Sequence, residues 1–113
     1  MRKDFSRVIL ENYYEPCILY LLSVQPSYGY KLQNDLKTKL QCHVNIGNLY
    51  RCLSKLYKNH DVFKYHEKSE EGPDRVMYKI TKEGEVHLQS WIENLKIEKK
   101  IINKLINRYT KQS

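Results

Sequence analysis

Asn-Ile-Gly-Asn-Leu-Tyr-Arg-Cys-Leu-Ser-Lys-Leu-Tyr-Lys, residues 45–58, is the stretch whose reading decides the fold. Wound as a helix, it puts Leu49, Leu53 and Leu56 on one face at the three-and-four spacing of a buried stripe, with Cys52 beside them. The opposite face carries Asn48, Arg51, Ser54, Lys55 and Lys58. Side chains of this kind hydrogen-bond base edges and meet phosphates, which is what a helix in the DNA major groove needs. A cationic outer face is also what ordinary solvated helix surface looks like. The flanking elements decide between the two.

Upstream, Cys17 to Val24 is a nearly unbroken apolar run behind Pro16, a residue tolerated at the start of a helix, and it suits a central buried helix that Pro26 and Ser27 end. Tyr28-Gly29-Tyr30 then opens a second helix to about Leu40, with Tyr30, Leu32, Leu36 and Leu40 available for burial and Gly29 allowing a close approach at the turn. A short polar connection, residues 41–45, leads into the opening stretch. Two helices joined this way form a helix-turn-helix, with the second as the recognition helix. Residues 1–15 mix charge with scattered apolar side chains and read as an N-terminal arm or short helix.

Downstream, Asn59 and His60 end the recognition helix without glycine, although both residue types tolerate the left-handed conformation better than most. From Val62 the period drops to two. Phe63 and Tyr65 alternate with Lys64 and His66, and Val76, Tyr78 and Ile80 alternate with Met77 and Lys79 across a polar tip at residues 69–74. A hairpin after a recognition helix is a wing that lies against the DNA backbone. The acids Glu67, Glu70, Glu71 and Asp74 repel phosphate, which leaves Lys64, Lys68 and Arg75 as its anchors.

Thr81 is a good N-cap, and Glu83 and Glu85 fall in the positive first turn of a helix that nothing after Gly84 interrupts. Leu88, Ile92, Leu95, Ile102, Ile106 and Tyr109 follow alternating steps of four and three, with Lys99 on the stripe and Trp91, Ile101 and Leu105 widening it. Over residues 82–108 such a helix is roughly 40 Å long at about 1.5 Å per residue, more than a compact domain of this size can cover. It therefore calls for a second copy of itself. The alternative is a helix folded back in two halves around Lys99 and Lys100.

The whole chain has 113 residues, enough for one domain, and its 20 Lys and Arg against 13 acids give a net charge of +7. A polyanion is the natural partner. With no apolar run long enough for a membrane span or a signal segment, the chain reads as cytoplasmic. Cys17, Cys42 and Cys52 form no CxxC pair and leave an odd thiol, as in a reducing compartment. Cys42 and His43 would need a distant third ligand, His60, His66 or His87, to hold a metal, so packing or surface roles are expected and no cofactor is called for. No phosphate loop and no nucleophile with a neighbouring base can be assembled, so no enzyme activity is expected.

Tyr28-Gly29-Tyr30-Lys31-Leu32, Asn48-Leu49-Tyr50 with Leu53 and Lys55-Leu56, and above all Gly72-Pro73-Asp74-Arg75 through Tyr78, Thr81 and Gly84 form one pattern in order and spacing. In that pattern the chain resembles the PadR family of bacterial transcriptional regulators. The resemblance implies a winged helix-turn-helix repressor, nucleoid-associated, that dimerises through its C-terminal helix on a pseudo-palindromic operator, here in the short form with one helix after the wing. By position it assigns DNA contact to Tyr50 and Arg75 and places Tyr30 with Lys31 at the start of the supporting helix. Three positions depart from the family pattern: His60 stands near the usual glycine, Asp61 at an apolar position, and Val76 at a basic one. Some short members hold flat aromatic drugs between tryptophans. Trp91, counted from Gly84, falls one turn before that position, which Leu95 occupies, so interface packing is its expected task.

The expected fold is mainly α with a small β-hairpin: a winged helix-turn-helix over residues 16–80 and a dimerisation helix over residues 81–113. Asn48, Arg51 and Ser54 are expected at the bases and Tyr50, Lys55, Lys64 and Arg75 at the phosphates, with Asn45, Tyr30, Lys31 and Lys68 as further DNA-binding residues. Leu88, Trp91, Ile92, Leu95, Ile102, Leu105, Ile106 and Tyr109 are expected in a homodimer interface. Double-stranded DNA is the expected partner, with any small-molecule effector left open. The same fold would also serve replication termination or plasmid and phage maintenance, or a protein-interaction module that has lost DNA binding.

Overall fold

The computed structural model describes residues 13–112; the expected N-terminal arm lies, up to residue 12, outside them. The elements run α1 (Tyr14–Val24), β1 (Ser27–Tyr28), α2 (Gly29–Leu40), α3 (Ile46–Lys58), β2 (Val62–Glu67), β3 (Arg75–Ile80) and α4 (Lys82–Gln112). Helix α1 begins at Tyr14, ahead of Pro16. The proline is still harmless, because the first four N–H groups of a helix have no intrahelical acceptor. Ile18, Leu19, Leu21 and Leu22 of α1 are buried, and they meet Leu32 and Leu36 of α2 and Leu49, Leu53 and Leu56 of α3 in a single core. The stripe expected on residues 45–58 is therefore the floor of the recognition helix.

Two helix ends close through a residue in the left-handed conformation. After α2, Gln41 takes a left-handed φ of 52° and the N–H of Cys42 returns to the carbonyl of Leu36 at 2.9 Å. After α3, His60 takes φ 63°, its N–H reaches Tyr57 O at 3.1 Å, and the N–H of Asp61 reaches Leu56 O at 2.9 Å. The second is the Schellman closure, in which the residue after the left-handed one commonly seats an apolar side chain on the last turn, whereas the first is wider, its bond reaching back six residues. Cys42 does so and is fully buried, against the surface alternative for it. Asp61 holds the same place with a carboxylate.

The sheet has three strands, in the order β1-β3-β2, all antiparallel. The hairpin was expected; the third strand was not. Tyr28, read as helical, pairs with Met77, and Ser27 pairs with Tyr78. Because β3 is the middle strand, both of its faces are covered at the centre: Tyr78 joins the core, while Met77 is buried on the other face between its register partners Tyr28 and Tyr65. Two further expectations of burial fail: Tyr30 is 68% exposed, because the start of α2 turns it outward, and Leu40 is exposed at the helix end.

Thr81 caps α4: its Oγ1 accepts from the N–H of Gly84 at 2.9 Å and its hydroxyl donates to His60 O at 2.6 Å. Helix α4 then runs unbroken for 31 residues, which removes the folded-back alternative. Its first half packs on the domain through Leu88 and Trp91, and Tyr13 donates to Glu98 Oε2 at 2.7 Å. From Lys99 onward every described residue of the helix is exposed, including Ile101, Ile102, Leu105, Ile106 and Tyr109. Among the described residues, no helix is long and apolar enough to cross a membrane.

Candidate nucleic-acid interface

Helix α3 is held from beneath and presents its top. Asn45 caps it, its Oδ1 accepting from the N–H of Asn48 at 2.8 Å, so this side chain is occupied in starting the helix. Arg51 donates to Asn48 Oδ1 at 2.8 Å, which joins two of the expected base-reading groups and pre-orients the guanidinium. With Leu49, Leu53 and Leu56 pointing down, the 3.6-residue turn sends Arg51, Ser54 and Lys58 outward together, and all three are exposed. Lys58, which the helical period already placed on this face but which was not among the expected contact residues, belongs to this central row.

The flanks of α3 differ. On one side Lys55 lies 3.5 Å from Glu15 Oε2 of α1, so the lysine is partly engaged within the domain. On the other side Tyr50 lies across Gly29, at the point where α2 begins. Burial, and then the neighbouring Tyr50, push the Tyr78 hydroxyl above the usual phenol range, so the floor beneath this flank is uncharged at neutral pH. On α2, Lys31 pairs with Asp35 at 2.8 Å and Tyr30 stands free of the core.

The wing does not gather its cations on one side. Lys64 pairs with Tyr78 in register, whereas Arg75 pairs with Glu67, and the two-residue period of a strand sends them to opposite faces. Lys64 lies over the ring of Tyr57 on α3, 4.3 Å from its centroid. Arg75 lies over the ring of Tyr28, 4.6 Å from its centroid. Each cation is thus held by an aromatic ring with its charge still open to an anion. Lys68 stands beyond the end of β2 in the tip, with Glu70 and Glu71 close in sequence. Tyr28, Tyr30, Tyr50 and Arg75 line a concavity of about 520 Å³ between the start of α2, α3 and the wing.

The arrangement of a buried-floor helix, a supporting helix and a three-stranded wing is shared with solved regulators. A transcriptional regulator from Clostridium thermocellum matches with a TM-score of 0.78 and 31% identity, over 88% of this chain and 94% of that one. A PadR-like transcriptional regulator from Bacillus cereus matches with a TM-score of 0.78 and 28% identity, over 88% and 96%. Bacillus subtilis PadR, solved in complex with operator DNA, shares the fold with a TM-score of 0.64 and 22% identity, over 69% of this chain and 45% of that one. No curated protein matches. The model of the transcriptional regulator PadR-like family matches residues 18–90, from the second turn of α1 through the wing into α4. With more than half of its length matched and the winged helix-turn-helix in place, the chain belongs to the PadR-like family of transcriptional regulators.

Proposed function

We infer that the protein is a dimeric, sequence-specific DNA-binding repressor of the cytoplasm. The observation that carries this reading is the exposed row Arg51, Ser54 and Lys58 on a helix whose opposite face is fully buried, so that the row is fixed relative to the domain. Arg51, Ser54 and Asn48 read base edges, and Lys58, Tyr50 and Tyr30 meet the phosphates on either side. Asn45 acts through the helix start it caps. Lys31, Lys55 and Lys68 are peripheral cations, the first two shared with Asp35 and Glu15. Lys64 faces the groove beside α3, and Arg75 faces the backbone beyond the wing.

The exposed outer half of α4 supports a second copy. Ile102, Leu105 and Ile106 are exposed on that half, Leu105 by 70%. Pairing these helices buries that surface, with Ile92 and Leu95 continuing the stripe toward Leu88 and Trp91, which already rest on the core. Two recognition helices are then offered to successive major grooves, and occupancy of a promoter excludes polymerase. The fold shared with a protein solved on operator DNA supports the same task.

The test is a fluorescence-anisotropy titration of DNA flanking the protein's own gene against an unrelated duplex of equal length, at two salt concentrations. The flanking DNA is expected to bind about a thousandfold more tightly. Equal binding of both duplexes, lost as salt rises, would leave only charge attraction and contradict the reading.

A further inference from the structure

His87 stands where three elements meet, away from the recognition face. Its Nδ1 lies 2.8 Å from Asp61 Oδ2, in the turn after α3, and its Nε2 lies 3.2 Å from Glu15 Oε1 on α1. One ligand atom from each of Glu15, Asp61 and His87 falls within 4.8 Å of the other two. Asp61 is only 5% exposed and follows the left-handed His60, the place where a Schellman closure commonly seats an apolar group; Cys42, after the left-handed Gln41, is buried in the corresponding place. The closure itself needs no carboxylate there, and a buried one is costly unless its charge is met.

A neutral imidazole alone does not meet both acids. A neutral ring has one N–H, so when one carboxylate receives it the other nitrogen turns a lone pair on the second carboxylate. One further positive charge, a ring proton or a metal ion at the second nitrogen, completes the arrangement. With the N–H on Nδ1, Asp61 at the shorter contact takes the place of the outer carboxylate that orients a metal-binding histidine. Nε2 and Glu15 Oε1 are then neighbouring donors. Their 3.2 Å separation is close to the roughly 3.3 Å between adjacent ligands of a tetrahedral ion with bonds of about 2.0–2.1 Å. Trp91 Nε1 donates to the same Glu15 oxygen at 3.4 Å and steadies it. Lys55, 3.5 Å from the other Glu15 oxygen, is exposed and free to swing out.

We propose that Glu15, Asp61 and His87 form a binding site for one divalent first-row transition-metal ion, with His87 Nε2 and the Glu15 carboxylate as ligands, Asp61 as the orienting group, and water filling the remaining positions. The nitrogen and oxygen donors suit Zn²⁺, Co²⁺, Mn²⁺ or Fe²⁺. The ion ties α1, the end of α3 and α4 together, so it fixes the angle between the recognition helix and the long helix. That consequence rests on the DNA-binding reading; the binding of the ion does not.

The test is calorimetric titration of the full chain with Zn²⁺, without DNA, together with the absorption spectrum of the Co²⁺ form. One ion per chain is expected, with visible Co²⁺ bands and no thiolate charge-transfer band in the near ultraviolet. His87→Gln, checked for folding by circular dichroism, is expected to weaken Zn²⁺ at least about tenfold, and Asp61→Asn by about tenfold, while His66→Gln leaves it unchanged. Absence of saturable binding, binding by His87→Gln as tight as by the parent, or a thiolate band would each overturn the site. So would a melting temperature that follows pH but not Zn²⁺, since a proton would then be the cation. A failure of DNA binding would leave all these readouts intact.

Discussion

The carbonyl oxygen of Asp61 lies where a Cβ on Gly84 would have to stand, with Ile80 Cγ1 only 2.7 Å from the same point. That oxygen is fixed, because it also accepts from the N–H of Thr81 at 3.0 Å. Helix α4 therefore leaves the wing directly against the turn that ends α3. Gly84→Ala is expected to cost on the order of 3 kcal/mol in denaturant unfolding, since backbone must give way. Gly29→Ala meets only the tip of Tyr50, an exposed ring that can turn aside, and is expected to cost less than about 1 kcal/mol.

His60 and Thr81 form the other half of this joint. His60 holds φ 63°, a region that favours glycine, so His60→Gly is expected to stabilise by roughly 0.5–1 kcal/mol. Thr81→Ala loses both the cap of Gly84 N–H and the bond to His60 O, and is expected to destabilise by roughly 1–2 kcal/mol. Chemical denaturation of the two variants checks both signs.

Much of this was legible in residues 45–58 and in the wing, because local periods report burial. A stripe at three-and-four spacing can only face a core, and Leu49, Leu53 and Leu56 are fully buried. The misses share a physical cause. Strand β1 is two residues long and exists through its pairing with β3, some fifty residues on, so no local pattern at Ser27 and Tyr28 could announce it. Cys42 is buried by the left-handed turn at Gln41, a backbone event that a polar connection conceals. Lys64 and Arg75 were grouped as anchors by charge, whereas the register separates them by face. The convergence of Glu15, Asp61 and His87 joins three distant elements, and only the odd placement of an acid at Asp61 hinted at it.

The cysteines give a prediction with a definite sign. Burial, and then the nearby Cys42 thiol, push the Cys17 thiol up to about 11; burial, and then the Glu15 carboxylate, push Cys52 up to about 12. These thiols hold their protons in the folded chain at pH values where the unfolded chain has begun to lose them near 9. The stability they contribute is complete below about pH 9 and is lost as pH rises through 11 to 12. Denaturation midpoints are expected to fall over that window, and Cys17→Ser with Cys52→Ser to flatten the fall. At pH 8 a thiol-specific reagent is expected to label these two only as the chain unfolds.

Dimerisation is tested on the outer half of α4. Leu105→Glu combined with Ile106→Glu places charge on side chains that do not touch the domain core, so folding is expected to survive. Sedimentation equilibrium is expected to give twice the 13.6 kDa chain mass for the parent and a single chain for the variant. An unchanged mass would place the interface elsewhere.

The most direct test of the central claim is hydroxyl-radical footprinting on the DNA flanking the gene, with the parent and with Arg51→Ala. Two protected segments about one helical turn apart, 10–10.5 base pairs centre to centre, are expected for a dimer with α3 in successive major grooves. Arg51→Ala is expected to lose roughly 1–3 kcal/mol of affinity for that DNA and to tolerate changes at the base it reads. A single protected segment, or a pattern and affinity that Arg51→Ala leaves untouched, would contradict the assignment of α3 as the element that reads DNA.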